Sequence, residues 1–257
     1  MKSMIDSHIH LDHYKDEEIE AIISSSPSIQ SVISVSYDLE SAKRNLLLSE
    51  KYSKVKPAFG YHPEQSLPNS EDLANLMTWI ESHKEKMIAI GEVGLPYYLR
   101  MEKADPSFPL QGYIELLEAF MVLAKKWEKP IVLHAVYDDA PAVCDLLEKH
   151  SIAKAHFHWF KGDSKTIQRL IKNGYFISFT PDIVYEEEIR EIAKVFPIDQ
   201  VMVETDGPWP FEGPFQGLAT HPKMMNESVS SLSKLKGMSV QEVYCQLLKN
   251  TKSFYTI

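Results

Sequence analysis

Met4-Ile5-Asp6-Ser7-His8-Ile9-His10 reads as a β-strand ending in two histidines one residue apart. In a strand, residues i and i+2 point to the same face, so His8 and His10 project together. Two imidazoles converging from one strand are the start of a divalent-metal site. The chain has ten histidines, so this pair takes its meaning from what ends the later apolar runs.

Seven more short apolar runs follow: Ser31–Tyr37, Val55–Tyr61, Met87–Val93, Pro130–Ala135, Ala153–Trp159, Tyr175–Thr180 and Val201–Asp206. They are mostly continuous rather than alternating, as parallel strands covered on both faces require. Helical patterns separate them, at Glu17–Ser24, Glu40–Tyr52, Asp72–Lys84, Gln111–Lys126, Ala140–His150, Lys165–Asn173 and Glu186–Val195. A last helix is expected over Ser239–Lys249, with Ser239 as N-cap and Glu242 completing a capping box. Strand and helix repeated eight times predict an α/β fold, a (β/α)8 TIM barrel. A doubly wound open sheet is the structural alternative; the strand count and even spacing favour the barrel. No linker, low-complexity tract or fixed repeat interrupts the pattern, so residues 1–257 are expected to form a single domain.

Composition sets bounds on function. Apolar content of 44% and charged content of 25% are those of a soluble globular protein. Net charge is −9, from 27 basic and 36 acidic side chains. That disfavours a protein holding nucleic acid by a basic surface, but not a nuclease, because bound cations reverse the local field. The two cysteines, Cys144 and Cys245, lie in helical patterns and read as small buried residues; a reducing cytoplasm fits them. The N-terminus lacks a signal-peptide core, and no apolar stretch approaches a membrane span.

Function in a barrel sits at the C-terminal ends of the strands. Run 1 ends in His8 and His10, run 4 in Gly91-Glu92-Val93-Gly94, and run 5 in His134. Run 6 ends in His156-Phe157-His158-Trp159-Phe160-Lys161-Gly162, and run 8 in Glu204-Thr205-Asp206-Gly207-Pro208. His62 lies in the loop just past run 3. Imidazoles and carboxylates thus recur at one structural position on different strands, and burying so many without a use would be costly.

Taken in order, these motifs resemble the TatD family of metal-dependent hydrolases, within the wider amidohydrolase-like barrels. The resemblance is carried by Asp6-Ser7-His8-Ile9-His10-Leu11, Gly60-Tyr61-His62-Pro63, Gly91-Glu92-Val93-Gly94-Leu95, Pro130-Ile131-Val132-Leu133-His134, His158-Trp159-Phe160-Lys161-Gly162 and Glu204-Thr205-Asp206-Gly207-Pro208. It implies two divalent ions (magnesium, manganese or zinc) held by His8, His10, Glu92, His134, His158 and Asp206. Glu92 would bridge, with His8, His10 and Asp206 completing one site, and His134 and His158 the other. His156 shares a face with His158, but the family motif selects His158.

Two cations about 4 Å apart polarise a scissile group and lower the pKa of water. Asp206 is suited to accept a proton from that water, so Asp206 and Glu92 are the expected catalytic pair. Glu204, two residues before Asp206, faces the interior one layer deeper, as a partner for an imidazole N–H or as part of an ion pair elsewhere in the barrel.

The chain departs from the family pattern around these ligands. Pro96 follows Gly94-Leu95 where an aspartate is common, no arginine follows His134, and Trp159 and Lys161 replace the usual Cys and Ser. Substrate contacts are therefore expected from His62, Arg100 in the long loop after run 4, Trp159, Lys161 and Trp209. The leading expectation is a metal-dependent phosphodiesterase or deoxyribonuclease acting on single-stranded nucleic acid ends. The alternatives are an ester or C–N hydrolase such as a deacylase, and a non-catalytic metal-binding accessory protein. No membrane partner is expected, and the chain is expected to be a monomer or weak oligomer.

Overall fold

The computed structural model describes residues 3–24 and 28–257. Eight strands run parallel in sequence order: β1 (Met4–Ile9), β2 (Ile29–Ser34), β3 (Val55–Phe59), β4 (Ala89–Gly94), β5 (Ile131–His134), β6 (Ala155–Phe157), β7 (Phe176–Phe179) and β8 (Val201–Val203). All eight expected runs are strands, and they form a nearly closed barrel.

The expected helices are present as α1 (Asp16–Ser24), α2 (Leu39–Lys51), α3 (Ser70–His83), α5 (Leu110–Trp127), α6 (Asp139–Lys149), α7 (Ser164–Asn173), α8 (Glu187–Val195) and α10 (Val240–Tyr255). Short polar side chains start several of them by accepting an otherwise unpaired N–H. Asp38 takes Ser41 N at 2.9 Å, Asn69 takes Asp72 N at 2.9 Å, and Asp163 takes Thr166 N at 2.8 Å. The Ser239–Glu242 capping box is present. Two helices were not anticipated: α4 (Tyr97–Lys103) and α9 (Met225–Lys236). Arg100 consequently lies on a helix rather than in a loop.

Strand residues alternate between two cores. Outward-facing Met4, Val32, Phe59, Ile90, Leu133, Phe157 and Phe179 pack with the helices. Inward-facing Ile5, Ile33, Ala58, Ala89, Val132 and Met202 fill the barrel floor, with Phe254 and Tyr255 from the end of α10. Continuing inward at period two, Val132 leads to His134, and Met202 leads to Glu204 and then Asp206.

Strict alternation would fail on β1 and β4. Against β2, Asp6 pairs with Val32 and Ile9 with Ser34, so β1 holds one extra residue between them. Against β5, Ile90 pairs with Ile131 and Val93 with Leu133, the same one-residue excess. Each bulge falls just before a chemistry-bearing residue and turns it inward: His8 on β1, Glu92 on β4. Gly94 permits the close packing here, because a Cβ would stand 1.9 Å from the His134 carbonyl oxygen.

The seam between β8 and β1 has no regular ladder among the described residues. Specific bonds close it. Ser7 Oγ donates to the Val203 carbonyl at 3.0 Å, Asp206 N to the His8 carbonyl at 2.9 Å, and His10 N to the Gly207 carbonyl at 2.8 Å. Buried Asp6 accepts from both the backbone N–H and the hydroxyl of Thr205.

Candidate metal centre

Glu92 stands fully buried at the centre of the barrel mouth. On one side, its Oε2 lies 3.0 Å from His8 Nε2 and 3.2 Å from His10 Nε2. Asp206 Oδ1 lies 3.4 Å from His8 Nε2 and 3.6 Å from His10 Nε2. On the other side, its Oε1 lies 2.7 Å from His158 Nε2, 3.1 Å from His134 Nδ1 and 3.3 Å from His62 Nε2. All six residues implied as ligands are therefore gathered around one carboxylate, three on its Oε2 side and two on its Oε1 side.

This donor set fits divalent cations. His8 Nε2, Glu92 Oε2 and Asp206 Oδ1 are buried without a hydrogen-bond partner. Buried polar atoms are ordinarily paired. His8, His10 and Glu92 offer ligand atoms within 4.8 Å of one another, a group that could hold a metal ion. Imidazole and carboxylate together suit zinc, manganese and related ions.

The charges of the group are interdependent. Burial alone would raise the Glu92 pKa, but the imidazoles of His158, His62, His8 and His10 outweigh it and hold the carboxyl well below its usual range. Burial opposes a proton on His158, yet the Glu92 and Glu204 carboxylates carry its pKa well above the ordinary value. The His8 ring stacks on His158 at 3.8 Å; burial and that neighbouring charge push His8 well down. Burial pushes the Asp206 carboxyl up to about 7.

The histidines just outside this set divide clearly. His156 is bonded at both nitrogens, 2.8 Å to Tyr255 OH and 2.6 Å to Ser178 Oγ, and takes no place at the centre. His62 Nδ1 accepts from Glu64 N at 3.1 Å, so its proton sits on Nε2 and points at Glu92. Burial lowers the His62 pKa to about 4, keeping the ring neutral.

Glu204 is anchored by the Trp159 backbone and the Ser178 hydroxyl, and with His8 and His158 it forms a buried group that could hold a metal ion. Its Oε1 accepts Trp159 N at 2.7 Å, and its Oε2 accepts Ser178 Oγ. His158 Nδ1 is 3.7 Å away, beyond hydrogen-bond range. Trp159 and Asp206 both take positive φ, +41° and +49°, an uncommon conformation for such residues. At Trp159 the turn brings its N–H to Glu204.

A cavity of about 370 Å³ opens over the centre. Trp159, Lys161 and Trp209 line it; Arg100 does not. Arg100 is committed to Asp139 at 2.5 Å. The Trp159 indole N–H donates to Asp182 Oδ2 at 2.6 Å, and Lys161 Nζ lies 4.3 Å over the indole ring. Asp182 and Glu64 were not singled out from the sequence. Both sit at the C-terminal end of the barrel, Glu64 in a loop and Asp182 in the short 3-10 turn Pro181–Val184, where a lone acid carries no periodicity to mark it.

A parallel barrel with buried imidazoles and carboxylates at the C-terminal mouth is the architecture of a barrel metal-dependent hydrolase. The chain belongs to the TatD-related DNase family, whose family model matches residues 5–256. A metal-dependent hydrolase of Haemophilus influenzae is 40% identical over 99% of this chain and 100% of its own. Human deoxyribonuclease TATDN3 is 26% identical over 93% of this chain and 90% of its own. The crystal structure of the TatD homologue YjjV from Escherichia coli superposes with a TM-score of 0.87 at 25% identity, covering 99% and 98% of the two chains. The protein is a TatD-type metal-dependent hydrolase.

Proposed function

We propose that this hydrolase cleaves phosphodiesters at single-stranded nucleic acid ends, with two divalent ions on either side of Glu92. The observation that carries the two-ion reading is the division of Glu92 itself: Oε2 faces His8 and His10, whose Nε2 atoms Asp206 also approaches, and Oε1 faces His134 and His158. When bound, such ions polarise the phosphoryl group and make water acidic enough to attack near neutral pH. Glu92 and the four imidazoles would hold and orient them. Asp206 lies at the open edge of the centre with a carboxyl raised toward neutrality, suited to taking a proton from the attacking water. His62 offers a neutral Nε2–H donor beside the reacting centre.

The nucleic acid assignment is supported by the human relative named a deoxyribonuclease and by Lys161. Among the described residues lining the cavity, Lys161 is the one lysine or arginine, alongside Asp182, Glu186 and Glu212. One cation in an acidic rim suits a single terminal phosphate better than a duplex backbone. Trp159 and Trp209 offer flat faces for a base. We assign residues 1–257 to one catalytic domain acting as a monomer or weak oligomer in the cytoplasm. Two supports for that setting are the unpaired Cys144 and Cys245 and the lack, among the described residues, of a helix long and apolar enough to cross a membrane. Cys144 is buried as expected, whereas Cys245 is exposed.

The test is a substrate screen of the metal-reconstituted protein with single-stranded DNA, single-stranded RNA, duplex DNA, aminoacyl esters and amides. Cleavage from single-stranded ends is expected, with Lys161→Ala weakening binding and flattening its salt dependence at unchanged metal content. Ester or amide turnover without phosphodiester cleavage, under every metal tried, overturns the reading in favour of a deacylase-type hydrolase.

A further inference from the structure

Behind His134 lies a carboxylate outside the ligand set. Glu64 sits in the loop after β3, two residues past His62. Its Oε1 is 3.0 Å from His134 Nε2 and accepts Tyr98 N at 2.9 Å; its Oε2 accepts Leu99 N at 2.6 Å. Tyr98 and Leu99 belong to the first turn of α4. The residue before that helix is Pro96, which makes no side-chain cap. Glu64 therefore supplies from another segment the acceptor that the helix start lacks.

An ionised carboxylate accepts and does not donate, so His134 donates Nε2–H to Glu64, which turns Nδ1 inward as the atom free to ligate. Nδ1 faces Glu92 Oε1 and His158 Nε2, each at 3.1 Å. The other three rings are held differently. His8 Nδ1, His10 Nδ1 and His158 Nδ1 have no hydrogen-bond partner. His134 is thus the one implied ligand, among the described residues, whose outer nitrogen is hydrogen-bonded to a carboxylate. A partner of this kind fixes ring orientation and tautomer and raises ligand basicity.

We propose that Glu64 is the positioning residue for His134, setting the affinity of the ion on the Oε1 side of Glu92. The inference rests on the two-ion reading above. Glu64 also joins this ligand to the cavity wall, because the Tyr98 ring on α4 lies against Trp159, with centroids 5.8 Å apart. One side chain holds both the imidazole and the helix that backs the wall.

The experiment is a cobalt(II) titration of metal-free protein, followed by the visible d–d absorption and by calorimetry, with thermal unfolding of each apoprotein alongside. Wild type is expected to bind two ions. In Glu64→Gln, one dissociation constant should rise about 10–100-fold, the range for losing such a partner, and the other should stay within about threefold. In a His134→Ala background, Glu64→Gln should change neither constant further, since its target is gone. Unchanged affinities in Glu64→Gln overturn the proposal. So does an equal loss with and without His134, the result expected if Glu64 acts only through general stability. Should Glu64→Gln fail to fold, Glu64→Asp, one methylene too short to span both partners, is read by the same criteria. A wild type that takes up no ion overturns the metal centre itself, a distinct outcome.

Discussion

On the Oε2 side of Glu92 the neighbours come from β1 and from the segment just past β8, the two edges of the barrel seam. On the Oε1 side they come from β5 and from the end of β6, which pair in the middle of the sheet. The two halves share one carboxylate but owe their geometry to different things. The first half relies on Asp6, Thr205 and two backbone bonds across the seam. The second relies on ordinary strand pairing and on Glu64 behind His134. One centre can thus have a half that fails with the seam and a half that does not.

The most damaging change should be Glu92→Ala, which removes the element common to both halves. Metal content should fall at both positions, and turnover should drop by about 10⁴-fold or more, beyond the loss of a general base alone. Elemental analysis still showing two ions per chain would separate Glu92 from the bridging role. Asp206→Asn touches only the seam half. It keeps one coordinating oxygen but cannot accept a proton, so turnover should fall by roughly 10²–10⁴ with substrate binding less affected. Near-normal rates would reassign Asp206 to structure.

Thr205→Val sharpens the contrast without touching any ligand. It removes the hydroxyl donated to buried Asp6, at a cost of about 1–3 kcal/mol in unfolding free energy. Binding of one ion should weaken while the other is unaffected; an equal loss at both positions would erase the distinction between the halves. The smallest effect concerns pH in the metal-free protein. The folded Asp206 carboxyl is raised from 3.8 to about 7. The native state therefore binds the proton more tightly, and the stability this contributes is complete below 3.8 and lost as pH rises through about 7. Asp206→Asn has no such dependence. Its unfolding free energy relative to wild type should increase from pH 5 to pH 8 by about 1–2 kcal/mol, given 1.36 kcal/mol per pKa unit and partial exposure. A constant difference would place the Asp206 pKa near its ordinary value.

The strands were legible because each is a short apolar run that needs no partner to be recognised. The ends of those runs named the residues that the barrel gathers, since position along a parallel strand translates directly into depth in the barrel. What stayed hidden depended on pairing. Period two counted from Ile90 sends Glu92 outward, and only the extra residue seen against β5 turns it inward. Glu64 gave no signal because an acid in a polar loop is usually solvated, and its value comes from His134, 70 residues away. Arg100 illustrates the reverse. A basic residue near the site suggested a substrate contact, but its charge is spent on Asp139. Helix α9 buries Met225, Val229 and Leu232 at helical spacing, but Ser228, Ser230, Ser231 and Ser233 dilute that stripe and hid it.

The incomplete ladder between β8 and β1 has a consequence for how the molecule would come apart. With the ligand set proposed here, an ion on the Oε2 side would act as a clasp, its ligands His8 and His10 lying on one lip of the ring and Asp206 on the other. Filling that position and closing the ring become one thermodynamic event, so metal binding adds to the stability of closure. Chelation should then loosen a particular place first. Amide hydrogens of His10 and Asp206, which bridge the gap, should exchange faster in the stripped protein, while those of β4 and β5 keep their protection.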